Sequence, residues 1–192
     1  MTGPADAAGP AGPAAGPPRQ LGPTDVKRLN RHWRRLAAAR IGLLLDSVAQ
    51  PFNVGAIVRT AAALGAGPVW LCGSTASPGH PSARKTALGT DRYLDLREEP
   101  DPAAAAGQAR AEGLRVVAVE LAAGAVPLHE AALDGDVCLA VGHEDRGCSA
   151  ALLAAADAVA YIPQPGRVGS LNVAAAAAIA LAEARRRDWT AG

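Results

Sequence analysis

IGLLLDSVAQPFNVGAIVRTAAALGA, residues 41–66, is the stretch on which the fold turns. Ile41–Leu45 run without a polar interruption, a turn region holding Asp46, Gln50 and Pro51 follows, and then a segment with helical spacing begins. A run that is apolar at successive positions, rather than alternating, is what a strand covered on both faces requires. In the helix that follows, Ile57, Ala61 and Leu64 share one face and Arg59 lies off that stripe. Strand, loop and helix in that order make one unit of a parallel α/β sheet.

The same unit recurs along the chain. Strands are expected at Gly42–Leu45, Val69–Cys72, Arg115–Val119, Val137–Val141 and Ala158–Ile162, and helices at Val54–Leu64, Pro102–Glu112, Ser149–Ala155 and Val173–Arg187. The fold class is therefore α/β, a parallel sheet covered by helices on both faces. Of the 192 residues 49% are hydrophobic and only 3% aromatic, so the core must be built from Ala, Val and Leu. Residues 1–23 are Gly, Pro and Ala with little to bury, and read as a disordered tail. Residues 24–40 read as a basic amphipathic helix capped by Thr24, with Val26, Leu29, Trp33 and Leu36 on one stripe. Residues 41–192 form the main domain.

The net charge of +1 hides an uneven distribution. Residues 1–40 hold seven Lys/Arg against two Asp, and the rest hold twelve against sixteen acids. Lys27, Arg28, Arg31, Arg34 and Arg35 lie on the basic helix, which is either a solvated surface or a phosphate-binding one. Arg185, Arg186 and Arg187 make a second cluster, with Arg84 and Lys85 a weaker candidate. Cys72, Cys138 and Cys148 form no CxxC pair, which argues against a disulfide framework or a zinc site, and no metal is expected. The N-terminus lacks the pattern of a signal peptide and no apolar run reaches the roughly 18 residues of a membrane span, so a soluble cytoplasmic protein is expected.

Three polar stretches interrupt this apolar chain. Asn53 precedes a helix and reads as its N-cap, while Gly55 lets the helix start approach a neighbour closely. Gly142, Glu144 and Gly147 form GxExxG just after a strand, where ligands of open α/β sheets bind. Ile162-Pro163, Gly166, Gly169 and Ser170-Leu171-Asn172 lead from the last strand to an Ala-rich helix that Ser170 or Asn172 could cap. Neither loop matches a GxxxxGK[ST] or GxGxxG phosphate pattern.

In that order the three stretches resemble the SpoU (TrmH) family of RNA ribose methyltransferases, of the SPOUT class. N-x-G-x-x-x-R-[ST] is met by Asn53, Gly55, Arg59 and Thr60, GxExxG by Gly142, Glu144 and Gly147, and IPxxGxxxSLNV by residues 162–173. The resemblance implies a C-terminal deep trefoil knot, a homodimer, and S-adenosylmethionine as cofactor. It implies a cofactor pocket made by Gly142, Glu144, Gly147, Ile162, Pro163, Gly166, Ser170, Leu171 and Asn172. It implies a catalytic Arg59 that meets the ribose 2′-hydroxyl, with Asn53 and Glu144 holding Arg59 and the substrate ribose and Ser170 and Asn172 ordering the site near the cofactor. A guanidinium keeps its proton, so an orienting and electrostatic role is expected of Arg59. The short N-terminal part resembles the tRNA-modifying members, so tRNA is the favoured substrate. Ribosomal RNA, or a non-catalytic RNA-binding protein that keeps the fold, are the alternatives.

Overall fold

A computed structural model describes residues 18–190 and divides into two compact units, with the break after Ala37. The tail expected over residues 1–23 lies, up to residue 17, outside the described residues. In the first unit, α1 (Pro23–Leu36) starts one residue before the expected cap: Gly22 holds the N-cap position and Pro23 opens the helix. Pro suits that position because its missing N–H would be unpaired there anyway. Lys27, Arg28, Arg31, Arg34 and Arg35 are all exposed on α1.

The second unit runs β1 (Ile41–Asp46), α2 (Pro51–Ala63), β2 (Pro68–Cys72), α3 (Pro81–Ala87), β3 (Asp95–Glu98), α4 (Pro102–Ala111), β4 (Arg115–Val119), β5 (Val126–Pro127), β6 (Val137–Val141), α5 (Ala150–Ala155), β7 (Ala158–Tyr161) and α6 (Val173–Thr190). All seven strands are parallel, in the order β3-β2-β1-β6-β4-β7-β5. The five expected strands are present, and β3 and β5 are additional strands at the two edges.

Successive strand residues point to opposite faces, and the two apolar layers sort accordingly. Leu43, Leu45, Val117, Val119, Leu139 and Val141 pack with Val54, Ile57 and Ala61 of α2 and with Ala177, Leu181 and Ala184 of α6. Leu44, Val116, Ala118, Cys138 and Ala140 pack on the other side with Ala105, Ala106 and Ala109 of α4 and Leu152 of α5. Alanine faces bring helices close to the sheet, which is how a core poor in aromatics stays dense. The close approach expected at Gly55 is made to α3, where a Cβ would stand 2.2 Å from the Ala83 carbonyl oxygen. Among the described residues no helix is long and apolar enough to cross a membrane.

The arginine cluster of α6 needs correcting in part. Arg185 is buried, 3% exposed, and donates to the carbonyls of Leu64, Gly65 and Ala39 and to Asp188. A guanidinium buried in the fold with four of its five N–H groups engaged there is withdrawn from RNA, so Arg185 is a structural residue. Arg187 is also largely buried, bound to Glu183 and to the His129 carbonyl. Only Arg186 is exposed, in an ion pair with Glu183 at 2.7 Å. Its hydrogen bond, joined by that of Arg187, holds the Glu183 carboxyl down at about 2 against partial burial.

Candidate active site

The site is built where the carboxyl ends of the central strands meet, beside the reversal of strand order between β1 and β6. Loop 142–149 leaves β6, loop 162–172 leaves β7, and α2 begins just beyond β1. One chain of side-chain hydrogen bonds joins all three. Asn172 donates through Nδ2 to Asn53 Oδ1 at 3.0 Å, and Asn53 donates through Nδ2 to Glu144 Oε1 at 2.9 Å. Glu144 also accepts from the amides of Gln50 (2.9 Å) and Ala49 (3.0 Å), so its carboxylate sits at the entry to α2. Partial burial pushes the Glu144 carboxyl up. The hydrogen bonds from Asn53, Gln50, its own amide and Ala49 outweigh that and hold it below the usual range.

Asn53 is therefore not the N-cap of α2. Gln50 holds that position and Pro51 opens the helix, which leaves the Asn53 amide free to bridge loops. Asn172, by contrast, does cap α6, its Oδ1 accepting from the amides of Ala174 (2.9 Å) and Ala175 (3.3 Å).

The GxExxG loop is a tight turn closed by reciprocal backbone bonds between His143 and Gly147, at 3.0 and 2.8 Å. Gly147 has φ +69°, and a Cβ there would stand 2.2 Å from Glu120 Oε2. A Cβ on Gly142 would stand 2.1 Å from the Gly147 carbonyl carbon. Both glycines are needed for the backbone to fold back on itself. Two carboxylates at strand ends pin the turn's exit: Glu120, after β4, accepts from the Cys148 amide at 2.8 Å, and Asp46, ending β1, accepts from the Ser149 amide at 2.8 Å. Cys148 is buried among these acids, and desolvation followed by the charges of Glu120 and Asp46 pushes its thiol well up, so it is no nucleophile.

A cavity of about 460 Å³ lies between the two loops and the ends of β4, β6 and β7. Its lining includes the apolar Leu121, Ile162 and Leu171 and the acidic Glu120, Glu144 and Asp145. That volume suits a ligand of nucleoside size.

A family model described as the SpoU rRNA Methylase family matches residues 40–182. The chain belongs to that family. Relatives of this SpoU chain include the Bacillus subtilis 23S rRNA (guanosine(2553)-2'-O)-methyltransferase RlmP, 37% identical over 145 residues, 76% of this chain and 58% of that protein. Another is the Thermus thermophilus tRNA (guanosine(18)-2'-O)-methyltransferase, 35% identical over 150 residues, 78% of this chain and 76% of that one. The crystal structure of the SpoU methyltransferase AviRb from Streptomyces viridochromogenes with AdoMet matches with a TM-score of 0.73 at 27% identity, covering 83% of this chain and 64% of that one. The chain spans about 60% of the length of the first curated relatives it matches.

The SpoU motifs thus meet at one place, with exceptions. Asn53, Glu144 and Asn172 are joined, while Gly142, Gly147, Ile162, Ser170 and Leu171 line the cavity with Glu144. Pro163 and Gly166 are exposed and outside that lining, and a Cβ on Gly166 would meet nothing within 4 Å. Arg59 is exposed on α2 and makes no hydrogen bond or ion pair among the described residues. The expectation that Asn53 and Glu144 hold Arg59 fails. Six residues along a helix rotate a side chain by about 120°, so Arg59 and Asn53 leave α2 in different directions. Glu120 and Asp46 escaped the sequence reading. Their one signal is an acid at the end of an apolar run, which takes on meaning once strand order sets it against residues 148 and 149.

Proposed function

We propose that this protein transfers a methyl group from S-adenosylmethionine to a ribose 2′-hydroxyl of RNA, with tRNA the favoured substrate. The observation that carries this reading is the Asn172–Asn53–Glu144 chain, which ties the three motif segments together around one cavity. The residues present fit the cofactor. The cavity has the size, an apolar wall for a nucleoside, and acids to face a cationic sulfonium. Gly142, Glu144, Gly147, Ile162, Ser170 and Leu171 would hold it. Bound there, it supplies an electrophilic methyl on sulfur.

The chain's own task is then to present the ribose. Arg59 is charged at any physiological pH and, lacking a partner among the described residues, stands ready for substrate. It orients the hydroxyl and stabilises the developing alkoxide rather than taking the proton. Glu144 accepts from Asn53, Gln50, Ala49 and its own amide, so it fixes the loop geometry. Ser170, exposed on the cavity wall, orders the hydroxyl's approach. Phe52 is 56% exposed and seven residues before Arg59, hence on the same stripe of α2, and offers a face on which an unstacked base can rest.

The tRNA reading is supported by relatives that act on tRNA, such as the tRNA (guanosine(18)-2'-O)-methyltransferase already described. A structure solved for insight into 2-OH methylation of C/U34 on tRNA is matched over 96% of its chain, with TM-score 0.68 at 35% identity. The basic residues of α1, with Arg84, Lys85 and Arg186, would contact RNA phosphates. A trefoil knot through the C-terminal loops and a homodimer follow from the family resemblance, and a cytoplasmic location, expected from the sequence, completes the reading.

The test is incubation with methyl-labelled S-adenosylmethionine and, separately, unmodified tRNA and ribosomal RNA, followed by digestion to nucleosides. Label on one tRNA ribose is expected. Label only in ribosomal RNA overturns the substrate, and no label with cofactor bound overturns the reaction.

A further inference from the structure

The chain holds three Trp, two Tyr and one Phe. Of these, Phe52 at the start of α2 and Tyr93 are the ones left largely in water, 56% and 66% exposed. Tyr93 ends a short 3-10 turn, Thr90–Tyr93, that follows α3. The Arg92 guanidinium lies over its ring, 4.8 Å from the centroid, and donates through Nη2 to the phenol oxygen at 2.9 Å. A groove of about 520 Å³ beside this pair is lined by Arg84, Leu88, Asp91 and Arg92 among others. Arg84 and its neighbour Lys85 are exposed and make no side-chain hydrogen bond or ion pair among the described residues. With Arg92 they outweigh Asp91, so the region is net positive.

Leu88 gives an independent sign. It caps α3 in the left-handed region at φ +51°, and Gly89 follows at +73°. That conformation is costly for a bulky side chain, and Gly or Asn would adopt it with less strain. Leu88 gains no burial in return, being 62% exposed. An apolar side chain held under strain in water points to a contact made outside the fold. The groove also adjoins the helix that carries Arg59: Thr86 of α3 donates to the Phe52 carbonyl at 3.3 Å. On the RNA reading above, on which this inference rests, the partner carries phosphates and flat bases. A double helix hides the faces of its bases, and only unpaired nucleotides offer them to a ring. A stacking face beside unpaired cations is what a single strand requires. We propose that Tyr93 and Arg92, with Leu88 and Arg84, bind an unpaired nucleotide flanking the methylated one, its base on Tyr93 and its phosphate at Arg84. The substrate is then RNA whose target ribose lies in an unpaired stretch.

Fluorescence anisotropy on the full chain, with a labelled oligouridine strand and with a fully paired RNA duplex of the same length, tests this. Wild type should prefer the single strand. Tyr93→Ala should weaken single-strand binding by a factor between about 5 and 150 and leave duplex binding unchanged, while Tyr93→Phe, which keeps the ring, should retain wild-type affinity. Arg84→Gln should flatten the salt dependence of single-strand binding by about 0.7 in slope. Leu88→Asn should weaken the single strand while its Tm holds or rises, because Asn tolerates the left-handed conformation; a purely structural role would lower both together. Calorimetric affinity for S-adenosylhomocysteine should not change in any of these variants, since none of the residues lines the site cavity. Wild-type single-strand affinity in Tyr93→Ala overturns the proposal. So does equal weakening of both RNAs, which would make this face a general phosphate surface. Loss of self-association in Tyr93→Ala by sedimentation, with RNA affinity intact, would assign the face to a second copy of the chain and overturn it too. A wild type that binds neither RNA removes the RNA reading itself, whereas unchanged binding in the variants removes this face alone.

Discussion

Replacing Asn53 with alanine removes both ends of the bridge between the motif loops, and its cost can be worked from the geometry. The bond to the ionised Glu144 is charge-assisted, a class that contributes about 1.5–3 kcal/mol, and the bond to Asn172 is a neutral one of about 1 kcal/mol. Asn53 is half-buried and Asn172 exposed, so water recovers part of the loss. A net destabilisation of about 2 kcal/mol follows. At a urea dependence of about 2 kcal/mol per M, the unfolding midpoint should fall by roughly 1 M. The measurement is urea unfolding by circular dichroism, repeated as pH is lowered. Glu144 has a depressed carboxyl in the fold. Its contribution is therefore complete above the unfolded value of about 4.3 and is lost as pH falls through the lower folded value. In the Asn53→Ala variant the carboxyl is less depressed, so less is lost, and the two midpoints should converge on acidification. A midpoint equal to wild type at neutral pH would refute the bridge. A gap that stays constant into acid would refute Glu144 as the partner, and a double-mutant cycle with Glu144→Gln should return a coupling of about 1–2 kcal/mol.

Arg59→Ala should abolish transfer to RNA, read by methyl label, while calorimetric affinity for S-adenosylhomocysteine stays within about twofold, since Arg59 does not line the cavity. Arg185→Met strands a buried Asp188 and frees three carbonyls. It should cost about 3–5 kcal/mol, a fall in Tm of roughly 10 °C by calorimetry. Gly147→Ala puts a Cβ on a left-handed residue against Glu120. It should cost at least about 1–3 kcal/mol and weaken cofactor binding, with an unchanged Kd counting against the turn's role. Removing residues 1–37 should leave cofactor affinity unchanged and flatten the salt dependence of RNA binding. The slope changes by up to about 4 if all five basic residues of α1 meet phosphates.

The strands that could be read in advance are the ones buried on both faces: β1 and β6 are buried at every position, β4 at four of five. β3, Asp-Leu-Arg-Glu, lies at the sheet edge with both ends exposed, and β5 is two residues long, so neither carries the apolar run that marked the others. The seven-residue α3 is too short to show helical spacing. At the site, motif spacing identified Asn53, Glu144 and Asn172 as a set, but not how they pair. Asn53 reads as a cap because it stands just before the helix expected from Val54. The helix instead begins on Pro51, two residues earlier, and that shift turns a capping side chain into a bridging one.

The pairing depends on contacts 91 and 119 residues apart, which no local pattern encodes. Glu120 and Asp46 make the same point more sharply. Each is a single acid after an apolar strand, indistinguishable in sequence from a turn residue. The strand order β1-β6-β4 places loop 142–149 between them, and their carboxylates then hold the amides of Cys148 and Ser149 from either side. In a core made mostly of Ala, Val and Leu, the backbone of the site loop is thus set by acids at the ends of the neighbouring strands. Topology, not composition, gives them that role, and a substitution such as Asp46→Asn would disturb the GxExxG turn without touching its own residues.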